Sequence, residues 1–350
     1  MKCEIKPFDP HTATKEDWTI FHVFRRKKHQ ETHPNDPIIP DELIEKRFKM
    51  DDSTMEFHQF FLFEVGKSDT IIGQLNLIIY KKESPSYENH KDNLITFFTL
   101  LPLYRRKGIE KTILEFAIEK AKKYEKSMIF SETDEEENKR FFHELGITPK
   151  AIGIIWHYPF EKIDWNLLKD WIQQGPENSP DLRLEFFDSI PEEIIQQYSE
   201  LYTEVKNQIP RGELVIEDRT IVPETVREFE EQCRNMGMKY LVALLLDSEN
   251  HPWGLQEIFH QPHENWIEQN LVGVHKKLRR KGLGKWIIGA SLVKLREEFP
   301  DAKGAVNYIY KSNAPMIKIA TQMGASIERE SMVIKNSLKQ LEQCLLKGKV

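Results

Sequence analysis

The stretch that decides the fold reads Arg279-Arg280-Lys281-Gly282-Leu283-Gly284, and it joins an apolar run to a helical pattern. A related stretch, Arg105-Arg106-Lys107-Gly108-Ile109-Glu110, stands in the same setting much earlier in the chain. At such a strand-to-helix turn, backbone N–H groups and the positive end of the helix attract an anion. The repeat therefore predicts two related domains, each built around a turn that can hold a phosphate.

The two copies differ at their last position, where the later one has Gly284 and the earlier one has Glu110. Glycine lets the backbone approach an anion closely because it has no Cβ. A carboxylate about 4 Å from a phosphate charge costs roughly 4 kcal/mol at an effective dielectric constant near 20. We therefore expect one working anion site, in the second half, and a defunct copy in the first.

Composition narrows the function classes. The chain has 350 residues, 39% hydrophobic and 30% charged, which suits two globular domains with their own cores. The net charge of −6, with basic and acidic residues mixed, argues against nucleic acid as a partner. No apolar run approaches the length of a membrane span, and the three scattered cysteines fit neither disulfides nor a zinc motif. We expect a cytoplasmic protein without a metal, and its oligomeric state stays open.

The order of patterns repeats in the two halves. Apolar periodicity predicts helices at 17–28, 41–48, 191–209, 223–236 and 313–323, and strands at 57–65, 70–80, 94–101, 128–130, 240–246, 253–259, 266–274 and 305–310. A further helix follows each glycine turn. This order predicts an α/β chain whose two domains each have a mixed, mostly antiparallel sheet flanked by helices. We place the domains at 1–165 and 182–350, with a linker at 166–181 that contains Gly175 and Pro176.

The order of elements and the R-x-x-G-x-G turn resemble the GNAT superfamily of acyl-CoA-dependent N-acyltransferases. Val272-Gly273-Val274 stands where the superfamily has the strand that holds the pantetheine arm, and Asn313 and Met316 resemble its downstream helix pattern. The layout is similar to tandem GNAT proteins such as mycothiol synthase, in which the C-terminal domain is the catalytic one. The resemblance covers both halves and is stronger in the second.

The resemblance implies acetyl-CoA, or another short acyl-CoA, as co-substrate in the second domain. The candidate residues for holding it lie on the strand, the turn and the next helix: Val272, Gly273, Val274, Arg279, Arg280, Lys281, Gly282, Leu283, Gly284, Lys285, Asn313 and Met316. Asn313 is equally explained as a helix N-cap.

Acyl transfer to an amine benefits from a base, because an alkyl ammonium has a pKa near 10.4. Glu268 is the first candidate for this base, since it shares strand parity with Val272 if no bulge intervenes, and Glu257 on the preceding strand competes with it. The superfamily's usual general acid is a tyrosine, but the matching position here is Ala320. Tyr308 and Tyr310 on the next strand are the candidate substitutes.

Three residues are candidates for binding the acceptor: Arg211 and Glu213, which lie in a loop between two helices, and Glu257. A surface ion pair between Arg211 and Glu213 explains them equally well. We expect the acceptor to be a small-molecule amine. Two alternatives remain, namely a non-catalytic acyl-CoA-binding sensor or scaffold, and an acetyltransferase that acts on a protein amine. The expected first domain is a degenerate copy.

Overall fold

The structure is a computed structural model that describes residues 1–261 and 263–347. These residues form twelve strands: β1 (Cys3–Phe8), β2 (Met55–Glu64), β3 (Ile71–Tyr80), β4 (Asn93–Leu100), β5 (Met128–Thr133), β6 (Ala151–Pro159), β7 (Arg183–Phe187), β8 (Lys239–Leu246), β9 (Pro252–His260), β10 (Trp266–Val274), β11 (Gly304–Tyr310) and β12 (Ser326–Ser337).

The same residues form eleven α-helices: α1 (Lys15–Thr32), α2 (Asp41–Phe48), α3 (Tyr87–His90), α4 (Ile109–Lys123), α5 (Glu136–Glu144), α6 (Trp165–Asn178), α7 (Ile195–Asn207), α8 (Pro223–Asn235), α9 (Leu283–Glu298), α10 (Ala314–Gln322) and α11 (Leu338–Lys347). The predicted helix at 41–48 and the predicted strand at 266–274 match the observed bounds.

The chain divides into two compact units, as the repeated turn predicts, but the division differs from the predicted boundaries. The first unit contains Met1–Gly153, Gly212–Glu217 and the described residues from Glu330 onward, and the second contains Ile154–Arg211 and Asp218–Arg329. Within the first unit, Glu217 explains why the short segment belongs there. Its carboxylate accepts hydrogen bonds from the Asn93 side chain at 3.2 Å and from Lys335 Nζ at 2.6 Å.

Helix α6 covers most of the segment at 166–181 that we predicted as a linker. The Asp164 side chain caps it by accepting from the Leu167 N–H at 3.1 Å, and Leu168 and Trp171 are buried. Gly175, which suggested a linker, permits close helix packing instead. A Cβ there would come within 2.2 Å of Trp286 on α9, so only glycine fits.

In the first unit the strand order is β1-β2-β3-β4-β5-β12, and neighbouring strands are antiparallel except for the parallel pair β4 and β5. Alternation along β2 divides the core in two. Phe60 and Leu62 pack with residues of α4, α5 and α11, whereas Phe61 and Phe63 pack with residues of α1 and α2. The sheet is therefore mostly antiparallel and has helices on both faces, as the sequence predicts.

In the second unit the strand order is β6-β11-β10-β9-β8-β7. The pairs from β7 to β10 are antiparallel, and β10 with β11 is parallel. One face packs against α7 and α8, with Leu255 and Leu271 in that cluster. The other face packs against α9, with Ala243 and Leu245 in that cluster. The predicted fold class is confirmed for each unit.

Candidate active site

Strands β10 and β11 separate in the second unit. Their described pairing runs from Trp266 with Gly304 to Glu268 with Val306, although β10 continues to Val274 and β11 to Tyr310. The His275 N–H donates to the Trp253 carbonyl at 2.9 Å, which places this residue's backbone toward β9. Because successive residues of a strand point in opposite directions, the backbone groups of Val272 and Val274 point toward the β11 side. They can pair with an extended, amide-containing ligand.

A β-bulge in β10 decides where the candidate acids point. The register shifts between Gln269 and Leu271, so Asn270 is the extra residue. Glu268 pairs with Phe259 and Leu271 with Glu257, which puts both glutamates on the sheet face that carries α7. Val272 and Val274 lie on the α9 face. The parity that we expected Glu268 to share with Val272 assumed an unbroken strand, and the bulge removes it.

The glycine turn of the second unit is open. Arg280 and Gly282 both have left-handed backbone conformations, with φ of 67° and 79°, and α9 begins at Leu283. The N–H groups of Lys285 and Trp286 donate to the Gly282 carbonyl at 3.0 and 3.1 Å. A Cβ on Gly284 would meet no atom within 4 Å. The helix N-terminus therefore offers space and N–H donors to an anion, beside the exposed cations Arg279, Arg280 and Lys281.

The last turns of α7 fix this loop in place. Glu204 accepts a hydrogen bond from the Lys276 N–H at 3.0 Å and lies 3.1 Å from His275 Nε2. Arg279 donates to the side chain of Gln208, just beyond the helix. Val205 covers Gly273, where a Cβ would come within 2.3 Å of the valine. Sequence reasoning missed these α7 contacts, because Glu204 and Gln208 have no motif that marks them.

The equivalent turn of the first unit has the same backbone but carries its own carboxylate. Arg106 and Gly108 have φ of 58° and 79°. Glu110 is 2% exposed, and its Oε1 accepts a hydrogen bond from the Arg106 N–H at 2.7 Å. The side chain of Glu110 thus occupies the interior of this loop.

The arginine of this first turn is surrounded by carboxylates. Arg105 donates to Glu31, and it lies 3.6 Å from Glu135 and 3.7 Å from Glu137. Glu135 also accepts from Lys28 at 2.8 Å and from Thr99 of β4. Glu135 is the N-cap residue of α5, as Asn313 is of α10. In the first unit, Glu110 therefore stands where the second unit has Gly284, and Glu135 stands where the second unit has the neutral Asn313.

Glu257 lies at the centre of a buried hydrogen-bond network. It is 4% exposed and accepts from Tyr202 of α7 at 2.9 Å, from Tyr240 of β8 at 3.0 Å and from Asn270. Burial raises the pKa of both tyrosine hydroxyls well above its usual range, so they remain donors. Three hydrogen-bond donors therefore already occupy the Glu257 carboxylate. In the sequence, Tyr202 and Tyr240 look like ordinary core residues. The place of Asn270 in this network depends on the β-bulge, which the sequence did not predict.

The candidate acids Tyr308 and Tyr310 have ring centroids 5.2 Å apart in an edge-to-face arrangement. Val306 pairs with Glu268, and alternate residues of a strand share a face, so both tyrosines lie on the face of Glu268. Ala320 is fully buried in α10. The structure therefore brings Glu257, Glu268 and the two tyrosines to one face.

The remaining candidates divide between the units. Arg211 is partly buried at the end of the second unit's first segment, whereas Glu213 is exposed and belongs to the first unit. Asn313 precedes α10, where its N–H donates to the Tyr310 carbonyl at 2.8 Å and its side chain makes no capping hydrogen bond. Met316 is partly buried on the first turn of that helix.

Among the described residues, no group of three or more His, Cys, Asp or Glu is arranged to hold a metal ion. Within the same residues, no helix has the length and apolarity needed to cross a membrane.

Comparisons with known proteins agree with this architecture. Residues 20–147 match the acetyltransferase (GNAT) family, so the match lies in the first unit, although we expected the stronger resemblance in the second half. A comparison with curated proteins finds no match.

Solved structures align with nearly the whole chain. A tandem GNAT protein from the clavulanic acid biosynthesis pathway aligns with a TM-score of 0.72 and 14% identity, over 96% of this chain and 99% of that one. A GCN5-related N-acetyltransferase from Sphaerobacter thermophilus aligns with a TM-score of 0.60 and 11% identity, over 96% of each chain. The glucosamine N-acetyltransferase region of a fungal multi-domain GH3 β-N-acetylglucosaminidase has a TM-score of 0.59 and 10% identity, over 95% of this chain and 38% of that one. At these identities the alignments show a shared fold.

Proposed function

We propose that the chain, whose residues 20–147 match the acetyltransferase (GNAT) family, is a tandem GNAT protein whose second unit transfers an acetyl or other short acyl group from acyl-CoA to a small-molecule amine. The observation that carries this proposal is the contrast between the two glycine turns. Both have the same left-handed residues, but one is filled by Glu110 and the other is open at Gly284. A fold that retains an open anion turn at the end of a separated strand pair suits an extended donor with a pyrophosphate.

The residues of the second unit fit such a donor. The first N–H groups of α9 face the pyrophosphate, and Arg279, Arg280 and Lys281 supply positive charge. The outward backbone groups of Val272 and Val274 pair with the pantetheine amides, between β10 and β11. Asn313 and Met316 lie just beyond the end of β11, where they contact the same arm. The donor supplies the activated acyl group as a thioester.

Acyl transfer needs a neutral amine, stabilisation of the carbonyl oxygen and departure of the thiolate. We assign the base to Glu268, because it is partly exposed at the point where the strands separate. Glu257 is less suited because three donors already occupy its oxygens, and we assign it to positioning Tyr202 and Asn270. A backbone N–H near Val272 stabilises the oxygen. Tyr308 or Tyr310 supplies the proton to the thiolate, since Ala320 offers none.

In this proposal the first unit is a degenerate copy that does not bind acyl-CoA. Its Glu110 replaces the anion and its Arg105 is already neutralised by Glu31, Glu135 and Glu137. The unit contributes to the fold of the chain. A cytoplasmic location remains a prediction.

Calorimetric titration of the full chain with acetyl-CoA tests the proposal. We expect one site per chain, which Gly284→Glu abolishes, followed by release of free CoA when a suitable primary amine is added. Binding of two acetyl-CoA molecules per chain would contradict the proposal that Glu110 blocks the turn of the first unit. Binding without transfer to any amine would favour the alternative of an acyl-CoA sensor. The alanine at position 320, where the superfamily usually has a general acid, is the observation that favours this alternative. Absence of binding would overturn both.

A further inference from the structure

Two basic side chains lie close together near the end of α7. Lys206 lies on the last turn of the helix and Arg211 lies in the loop beyond it, and both are partly buried. Arg211 Nη2 donates to the Lys206 carbonyl at 2.6 Å, which holds the two residues side by side. In the described part of the chain, neither side chain forms an ion pair with a carboxylate.

The position of this pair is fixed by its neighbours. Tyr202 precedes Lys206 by one helical turn and therefore shares its face, and its hydroxyl bonds to Glu257 at 2.9 Å. On the other side, Ser312 Oγ donates to the Pro210 carbonyl at 2.9 Å, so the loop before Arg211 touches the segment that follows Tyr310. Lys206 and Arg211 thus lie on the α7 face of the second unit, near the free end of β11.

The charged groups that act on Lys206 are two cations, Arg219 and Arg211, and one carboxylate, Glu257. Burial, with the neighbouring Arg219 and Arg211, lowers the pKa of Lys206 to about 8 against the opposing effect of Glu257. Burial also lowers the pKa of Arg211, which Tyr310 and Asp218 face. Glu257 already accepts three hydrogen bonds. Two cations that are partly removed from water and are not ion-paired with a carboxylate among the described residues favour binding of an anion.

We propose that the amine acceptor carries a carboxylate, which Lys206 and Arg211 bind while its amine points toward Glu268. The substrate class is then an amino acid or another amine with a carboxylate at its far end. This inference rests on the proposed acyl transfer in the second unit. The two side chains act as specificity-determining residues and take no part in the transfer itself.

Matched acceptors provide the first test. Glycine, β-alanine and 4-aminobutyrate, and the corresponding amides, are compared as acceptors with acetyl-CoA and the full chain. A charge-assisted hydrogen bond contributes enough for a roughly 10- to 100-fold preference, so we expect kcat/KM to favour one of the acids over its amide by that factor, mainly through KM. Equal use of acids and amides would overturn the inference and leave the proposed function intact.

Variants identify the residues responsible. We expect Lys206→Met and Arg211→Gln to remove most of the preference by raising KM for the acids, with a much smaller change in kcat/KM for the amides, and Arg211→Lys to restore part of the preference. Lys169→Met is the matched control, because Lys169 is exposed on α6 and that helix packs against α9. A preference that survives both site variants would contradict the assignment. Loss of the preference together with lost kcat for the amides would indicate a structural role and also contradict it.

A second test does not need turnover. Lys206 is labelled with acetic anhydride, and its modification is measured by peptide mass spectrometry in the presence of N-acetylglycine or N-acetylglycinamide. We expect the acid to slow labelling of Lys206 several-fold relative to Lys169 and the amide to have no effect. If acetyl-CoA does not bind and no amine is acylated, the proposed function fails. Protection by the acid would then still support the carboxylate site, and its absence would overturn it.

Discussion

Exchange of Gly284 for glutamate reproduces in the second unit what Glu110 does in the first. The Arg280 backbone has the left-handed conformation of Arg106, whose N–H bonds to Glu110 at 2.7 Å. A new carboxylate at position 284 would therefore turn into the loop and occupy the anion position. At about 4 Å from a phosphate charge it costs roughly 4 kcal/mol at an effective dielectric constant near 20, which corresponds to about a thousandfold weaker acyl-CoA binding.

The same substitution should not destabilise the fold. A Cβ at Gly284 meets no atom within 4 Å, and glycine is about 1 kcal/mol less favourable than good helix formers inside a helix. An acidic residue in the first turn adds up to about 1 kcal/mol through the helix dipole. We expect the free energy of unfolding to rise by about 1 kcal/mol while acyl-CoA binding is lost.

Calorimetric titration with acetyl-CoA and urea unfolding measure the two effects. Gly284→Gln is the matched control, because it adds nearly the same volume without the charge, and we expect it to weaken binding by less than about tenfold. Equal losses for Glu and Gln would show that bulk rather than charge is responsible. Unchanged binding in Gly284→Glu would refute the location of the anion site.

Four other predictions follow from single residues. Glu268→Gln should lower the transfer rate more at pH 6 than at pH 9, because an ammonium acceptor needs the base most at low pH, and an equal loss at both would contradict the base role. Burial raises the pKa of Cys233 to about 12, so iodoacetamide at pH 8 should modify it only in denaturant, in contrast to the partly exposed Cys344. Gly273→Ala should lower the free energy of unfolding by about 1–3 kcal/mol, since its Cβ would overlap Val205, and unchanged urea unfolding would argue against this packing. Lys206→Met should raise the free energy of unfolding by up to about 3 kcal/mol near pH 7, because the lowered pKa of Lys206 means that folding disfavours the charged lysine. The gain should vanish above about pH 10.5, where the lysine is neutral in both the folded and the unfolded state.

Local patterns predicted most of the elements that surround the two turns. The helix at 41–48 and the strand at 266–274 have strong periodicity and match the structure. Strands β1, β6, β7 and β12 and helices α3, α6 and α11 were missed. Residues 151–159 and 326–337 alternate polar and apolar side chains only loosely, and their strand character depends on pairing partners that are distant in sequence.

The candidate site was predictable in its backbone and less so in its side chains. The glycine turn was recognisable from the sequence because its backbone conformation depends on neighbouring residues. The role of Glu268 depended on strand parity, and the bulge at Asn270 changed the face on which it lies. Lys206 escaped notice because its surroundings come from Arg211, Arg219 and Glu257, which no spacing rule brings together.

The first unit shows that resemblance to a family and the state of its glycine turn are separate properties. The match at 20–147 covers the unit whose turn is filled by Glu110. Family resemblance is dominated by the buried residues that form the sheet and helices, such as Leu75, Ile113 and Ile129, and these remain intact when the ligand site is lost. The Glu110 carboxylate, which accepts from the Arg106 N–H, supports this loop because it gives the N–H a permanent partner within the chain. A glutamate at this position of the turn is therefore compatible with the fold. Position 284 has room for the same side chain, so the glycine found there is not required by packing and is better explained by a ligand.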